Sequence, residues 1–337
     1  MVREFGLGRL KKYPITALLL GLSLSSFPIA GVVKLSRPYR ARIMALVVRE
    51  KSPAIVTTGC PIFPPDNIWN RGVLDLPVDA NSQAYIASMG PGDPIHADFG
   101  GTGGYQYAVT DGSDPAAEMS FGGGAAESDP GPYRIPENPP REEGGDGHVL
   151  VLDRGNCLLY ELFAAEPTGL HRWSASSGAI FDLRSNKLRP DGWTSADAAG
   201  TAILAGLARY EEIDAGRIAH ALRFTTRHTR RAYVWPGRHF ASSSTDPSLP
   251  PMGQRFRLRS SVDIGGFSPQ TKVILTALKE YGMILADNGG NWYISGARDS
   301  RWSSKTISEL KTLHGSDLEA VDVSRAMIDP NSAQARQ

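Results

Sequence analysis

Glu161 stands in the run CLLYELF, bracketed by Tyr160, Leu162 and Phe163. A carboxylate in so apolar a segment is costly to bury unless it is paired or has a chemical task. The preceding run, HVLVLDR, is joined to it by Gly155-Asn156, and glycine at the first central position suits a type II′ hairpin turn. A two-residue turn pairs His148 with Phe163, Leu150 with Glu161 and Leu152 with Leu159. His148 and Glu161 then share one face as diagonal neighbours, about 7–8 Å apart between backbones. That spacing allows general acid–base chemistry at Glu161 with His148 orienting it, and it equally allows a structural His–Glu hydrogen bond. Asp98 is the second acid–base candidate. Glycosidic cleavage needs one carboxyl as acid and another as nucleophile or base, and apolar sugar faces stack on aromatic rings. Loops from His96 to Trp292 carry both residue types, Asp287 among them. Asp129, Asp182 and Asp197 are further carboxylate candidates, and with Trp173, Trp193 and Tyr133 they are the expected substrate contacts.

Other chemistries lack their signatures. There is no G-x-S-x-G elbow, no H-E-x-x-H, no phosphate loop and no dinucleotide fingerprint between a strand and a helix. His96 and Asp98 would share a face on a strand, but His220, His228 and His239 show no paired helical spacing. The expectation is no cofactor and no obligatory transition metal. Asp111, Asp114 and Asp129, with nearby carbonyls, offer the oxygen-rich loops that suit a structural calcium.

The elements that must position these residues read as short strands. With 36 Gly and 24 Pro, the chain is turn-rich and mainly β. Residues 179–183 form a short strand, 218–226 pair with 232–235, and 283–288 with 291–296 make a second hairpin around Gly289-Gly290. Helices are expected at 196–207, where Thr194 or Ser195 caps and Asp197 sits in the first turn, and at 269–281 behind Ser268 and Pro269. The alternation of short runs and turns predicts a β-sandwich or jelly-roll-like core with a few peripheral helices.

The N-terminus points out of the cytoplasm. Arg3, Arg9, Lys11 and Lys12 precede an uncharged run from Tyr13 to Val33. Residues 1–33 read as a signal peptide or an N-terminal membrane anchor, 34–59 as a linker, 60–322 as one extracytoplasmic domain and 323–337 as a flexible tail. Cys60 and Cys157, 97 positions apart, are the only cysteines and predict a disulfide rather than a metal site. Net charge is +1, from 36 basic and 35 acidic side chains, so no global field recruits nucleic acid.

Several segments carry a resemblance: Asp129-Pro-Gly-Pro-Tyr133, His148-Val-Leu-Val-Leu-Asp153, Gly178-Ala-Ile-Phe-Asp182, Trp193-Thr-Ser-Ala-Asp-Ala-Ala-Gly200, His220-Ala-Leu-Arg-Phe224 and Asn291-Trp-Tyr-Ile-Ser295. Over roughly residues 60–320 the chain resembles a group of exported bacterial and fungal proteins with no established activity. The resemblance implies export of a single domain and transfers no catalytic residue. Taken with the carboxylates and aromatics, the expectation is a secreted or membrane-anchored hydrolase or lyase acting on extracellular polysaccharide. The competing reading is a non-catalytic glycan-binding or envelope-structural protein.

Overall fold

The computed structural model describes residues 59–142 and 146–337. The expected signal or anchor, and nearly all of the linker, lie outside the described residues. Among the described residues no helix is long and apolar enough to cross a membrane. Strand outweighs helix, so the protein is mainly β.

The strands are β1 (His96–Asp98), β2 (Ala108–Thr110), β3 (Ala116–Phe121), β4 (Tyr133–Arg134), β5 (Val149–Asp153), β6 (Leu158–Phe163), β7 (Glu166–Gly169), β8 (Arg172–Ala175), β9 (Ser177–Asp182), β10 (Leu222–Thr226), β11 (Arg255–Leu258), β12 (Met283–Asn288), β13 (Tyr293–Ser295) and β14 (Leu318–Val321). They build a six-stranded mixed sheet in the order β1-β13-β10-β12-β11-β14, and two four-stranded sheets, β2-β5-β6-β9 and β4-β3-β8-β7. The helices are α1 (Ser82–Ser88), α2 (Tyr210–Asp214), α3 (Pro269–Glu280) and α4 (Ser304–Leu310).

Alternation of side chains on each strand stacks these pieces into layers. On the six-stranded sheet, Leu222, Phe224, Met283, Leu285 and Ile294 point one way and pack with Ile274, Leu275 and Leu278 of α3. The helix faces that sheet because its apolar residues fall three and four apart. The opposite face contributes Ala221, Ile284 and Val321 to a second core shared with Leu150, Leu152, Leu159 and Phe181 of the β2-β5-β6-β9 sheet. The far side of that sheet (Val149, Val151, Tyr160, Leu162) meets Tyr133, Trp173 and Ala175 of the third sheet. The arrangement is sandwich-like, with helices outside the larger sheet.

The β5–β6 hairpin has the expected register, Leu150 opposite Glu161 and Leu152 opposite Leu159. Its loop is four residues, 154–157, not two. Asp153 closes it by accepting from the backbone and side-chain amides of Asn156, at 3.0 and 2.8 Å. The disulfide Cys60–Cys157 ties the start of the described chain to this loop.

Four expectations are corrected. Residues 196–207 contain only a 3-10 turn at Leu204–Gly206, and the segment before it is irregular. Residues 232–235 form no strand; Tyr233 makes an isolated parallel bridge to Met252. β12 and β13 are not hairpin partners, because β10 lies between them. Their connecting loop clasps the end of β10 instead: Gly289 N donates to Thr226 O, and Thr225 Oγ1 donates to Gly290 O. Residues 323–337 are no loose tail. Val323, Ala326, Ala333 and Ala335 are buried in the shared core, and Ile68 N donates to Ala333 O.

Candidate functional site

Three strand registers assemble one row of side chains across the six-stranded sheet. Asp98 on β1 pairs with Ser295 on β13, and the antiparallel match of Phe224 with Ile294 sets Arg223 of β10 beside Ser295. On β12 a bulge between the pairs Phe224–Leu285 and Thr225–Asp287 turns Asp287 onto the face that carries Arg223. Bulges characteristically re-aim a side chain in this way. The row therefore runs Asp98, Ser295, Arg223, and Asp287 joins it from opposite Thr225, two residues along β10, on the face turned toward β5 and β6.

Arg223 is its buried centre, 1% exposed. It donates from Nε and Nη2 to the two oxygens of Asp197 at 3.0 and 2.7 Å, from Nη1 to Ser295 Oγ at 2.7 Å, and from Nη2 to Asp287 Oδ2 at 3.1 Å. Such a forked guanidinium–carboxylate contact fixes both partners geometrically. The Tyr105 ring lies 5.5 Å from the guanidinium. Asp197 reaches Arg223 from the irregular segment 193–203. Ser195 Oγ accepts from Asp197 N at 2.9 Å and donates to Thr201 O at 2.6 Å. These local side-chain bonds offer the backbone an alternative to helix, which explains the missing helix at 196.

His148 and Glu161 do face the same interlayer, but they are not partners. His148 Nδ1 is 2.5 Å from Glu142 Oε2, and its Nε2 is 3.0 Å from Ala196 O. Glu161 is fully buried and accepts from Ile203 N and Leu204 N, both at 2.9 Å. The expected orienting bond from His148 to Glu161 is thus replaced by Glu142, whose own N–H bonds His148 O at 2.9 Å and so folds it back onto the ring.

Electrostatics follow from this crowding. Burial is the main cause that pushes Glu161 up to about 7, against its two backbone donors. Burial, then repulsion from Asp197, raises Asp287 to about 7, with Arg223 opposing. Its side chain keeps 27% exposure, so solvent tempers the size of that rise but not its direction. Asp98, exposed as a residue on the edge strand, also has its carboxyl raised, by desolvation first, with Arg223 and His96 pulling the other way. Beside Asp98, the half-buried His96 and Tyr293 rings stack at 4.0 Å, nearly parallel. Asp98, Asp287 and this ring pair give the row its solvent-facing part.

The other expected contacts disperse. Tyr133 and Trp173 are core residues of the far layer. Trp193 is half-buried under the Arg189 guanidinium at 5.6 Å. Asp129 accepts from Arg189 Nη1 and Ile180 N, and Asp182 from Arg184 N. Only Asp197 of that group enters the row. The residues considered for calcium make separate contacts: the Asp111 carboxylate accepts from Ser113, the Asp129 carboxylate holds Arg189, and the Asp114 backbone carbonyl accepts from Arg134. Among the described residues no group of three or more His, Cys, Asp or Glu side chains converges for a metal ion. Arg223, Glu142, Ser295 and Tyr293 are not singled out by motif or spacing, and Asp287 only as one of many carboxylates assigned to loops. The available signal was a charge inside an apolar strand, HALRFTT and MILADN, the same signal that marks Glu161.

Comparison with protein-family models, with curated proteins and with solved structures finds no match for this chain.

Proposed function

We propose that the protein is an exported glycoside hydrolase acting on extracellular polysaccharide, with Asp287 as proton donor and Asp98 as base or nucleophile. The observation that carries this reading is the row Asp98–Ser295–Arg223–Asp287, which offers two accessible carboxyls on one sheet face with a stacked ring pair beside them. A carboxyl raised to about 7 keeps its proton near neutral pH, as a general acid requires. The two backbones lie three strands apart and, with Asp287 opposite Thr225, two residues out of line, about 16 Å in all. An inverting mechanism, with carboxyls roughly 6.5–9.5 Å apart, requires both side chains to lean toward each other across Ser295 and Arg223. The His96–Tyr293 pair supplies the sugar-stacking surface first sought at Trp173 and Trp193. Hydrolysis is favoured over elimination because Arg223 is already engaged by Asp197, Ser295 and Asp287, leaving little of it to neutralise a uronate. The disulfide supports an oxidising, extracytoplasmic location.

Reducing-end release from a polysaccharide panel tests the assignment. Asp98→Asn and Asp287→Asn should each lower kcat by about 100-fold or more. The rate should fall as pH rises through about 7, where Asp287 loses its proton, and Asp287→Asn should remove that limb. Unsaturated products would make the protein a lyase, and binding without turnover would make it a glycan-binding protein. Turnover undiminished in both variants sinks the carboxyl pair.

A further inference from the structure

A cleft of ≈ 340 Å³ that shares no lining residue with the Arg223 row lies between residues 233–238 and the segment following β14. Its volume is at the small end of ligand sites. Tyr233 and Trp235 line it, and the Trp235 indole N–H is already bonded to Ser332 O at 2.8 Å, leaving the ring as its contribution.

The donors lining this cleft are largely engaged, the Trp235 indole, the Gln254 amide and most of Arg238 by carbonyls and the Tyr233 hydroxyl by Asp191, so its least committed polar groups are acceptors. Val78 bridges Val321 in antiparallel fashion, with Asp79 N donating to Ala320 O and Asp322 N to Pro77 O. That register makes Asp79 and Asp322 diagonal neighbours on one face, about 7–8 Å apart between backbones. Among the described residues neither carboxylate has an ion-pair partner, and one oxygen of each serves only a local turn, to Asn81 N and Ser324 N. Gln254, 3% exposed, also lines the cleft. Its amide nitrogen donates to Arg255 O and Val321 O, which leaves its carbonyl oxygen as an acceptor without a partner among the described residues. The one cation in the lining, Arg238, donates from Nη1 and Nη2 to Pro330 O and Asn331 Oδ1 and stands 3.4 Å from Asp191, while its buried Nε has no partner among the described residues.

A cleft of carboxylates, an amide oxygen and aromatic faces complements a ligand that is all donor and positively charged. We infer that it binds a small organic ammonium ion, with Asp79 and Asp322 bracketing the charge and Tyr233 and Trp235 offering ring faces to it. Two sources share this chemistry, an amino sugar with a free amine and an aliphatic diamine. The site stands apart from the proposed hydrolase carboxyls and does not depend on them.

Titration of the full disulfide-bonded protein by tryptophan fluorescence and NMR, with glucosamine and with putrescine, tests it. N-acetylglucosamine and 1,4-butanediol serve as the uncharged counterparts. At least one amine should saturate the site, at least tenfold more tightly than its counterpart, and binding should weaken as salt is added. Saturation by glucosamine alone assigns an amino sugar; saturation by putrescine, alone or as well, assigns an amine more generally. The double variant Asp79→Asn/Asp322→Asn keeps both turn acceptors and should weaken binding at least tenfold. No saturation by either amine up to about 10 mM, equal binding of an uncharged counterpart, or an unaffected double variant overturns the inference.

Discussion

Both ring nitrogens of His148 face acceptors, Glu142 Oε2 and Ala196 O. A carbonyl oxygen can only accept, so Nε2 carries a proton; beside an ionised glutamate Nδ1 must carry one too. His148 is therefore an imidazolium held in a buried ion pair, not a free base. Burial disfavours its charge, but Glu142 outweighs that and raises the ring above its usual range. Burial likewise works against ionised Glu142, and the bond and charge of His148 bring it below the usual carboxylate range. Raised in the folded state, His148 contributes stability that is complete below 6.5 and is lost as pH climbs through its folded value. Lowered Glu142 contributes stability that is present above 4.5 and is lost as pH falls. Glu161, raised to about 7, superimposes its own decline between 4.5 and 7. The difference in urea unfolding free energy between the protein and His148→Gln should therefore be largest between pH 4.5 and 6.5 and narrow above it. A difference that stays constant from about pH 5 to pH 9 would mean that the ring is neutral. The shared face of His148 and Glu161 was legible from strand alternation. Their lack of contact was not, because it depends on Glu142 folding back from a non-strand segment onto the His148 carbonyl, and no periodicity records that.

At the scale of elements, the segment 193–203 delivers Asp197 to Arg223, and its shape rests on a turn that helix would forbid. Gly200 has φ +71, and a Cβ there would lie 2.4 Å from Trp193 O and 3.1 Å from Arg238 Cβ. Gly192, nearby, has φ +79 but open space around it. Gly192→Ala should destabilise by about 1–2 kcal/mol, the cost of a left-handed backbone for an L-residue. Gly200→Ala should cost clearly more and release Asp197 from Arg223, read as a larger drop in urea midpoint. Equal costs at the two sites would show that the Trp193 contact relaxes freely. Propensity and a capping serine made 196–207 look helical; the hydroxyls of Thr194 and Ser195 and the ion pair of Asp197 override it. The amphipathic stretch at 269–280 was legible because its apolar spacing agrees with its burial, although Ser268 gives its hydroxyl to Glu309 rather than capping. The register of β5 and β6 was legible for the same reason, local pairing around one short loop. The placement of β10 between β12 and β13 was not. It joins strands about 60–70 residues distant in sequence, and a local reading of MILADN and NWYISG sees only the nearer partner.

For the whole molecule, the layers are closed by the two ends of the described chain. Cys60 and Cys157 lie in the same core as Ala333 and Ala335, while Ile68 N donates to Ala333 O and Ala335 N to Asp66 O. The polar residues after Asp322 made this stretch look like a flexible tail, yet the small alanines among them let the backbone pass close to residues 66–68. The disulfide closes a 97-residue separation and fixes this N-terminal segment to the β5–β6 loop. Removing such a bond costs about 2–5 kcal/mol, and a domain of this size loses roughly 2–4 °C in melting temperature per kcal/mol. Peptide mapping of the protein purified without reductant should recover the Cys60–Cys157 cross-link, and two alkylatable thiols would exclude it. In the Cys60→Ser/Cys157→Ser variant the loss should be distributed by layer. The amides of Ile68 and Ala335 should exchange faster together, because each end of the described chain holds the other. Those of β10 and β12, buried between α3 and the inner sheet, should keep their protection until global unfolding. Uniform acceleration across both groups would mean that the disulfide stabilises the molecule only by restricting the unfolded chain, and that residues 60–68 and 333–335 form no separable unit.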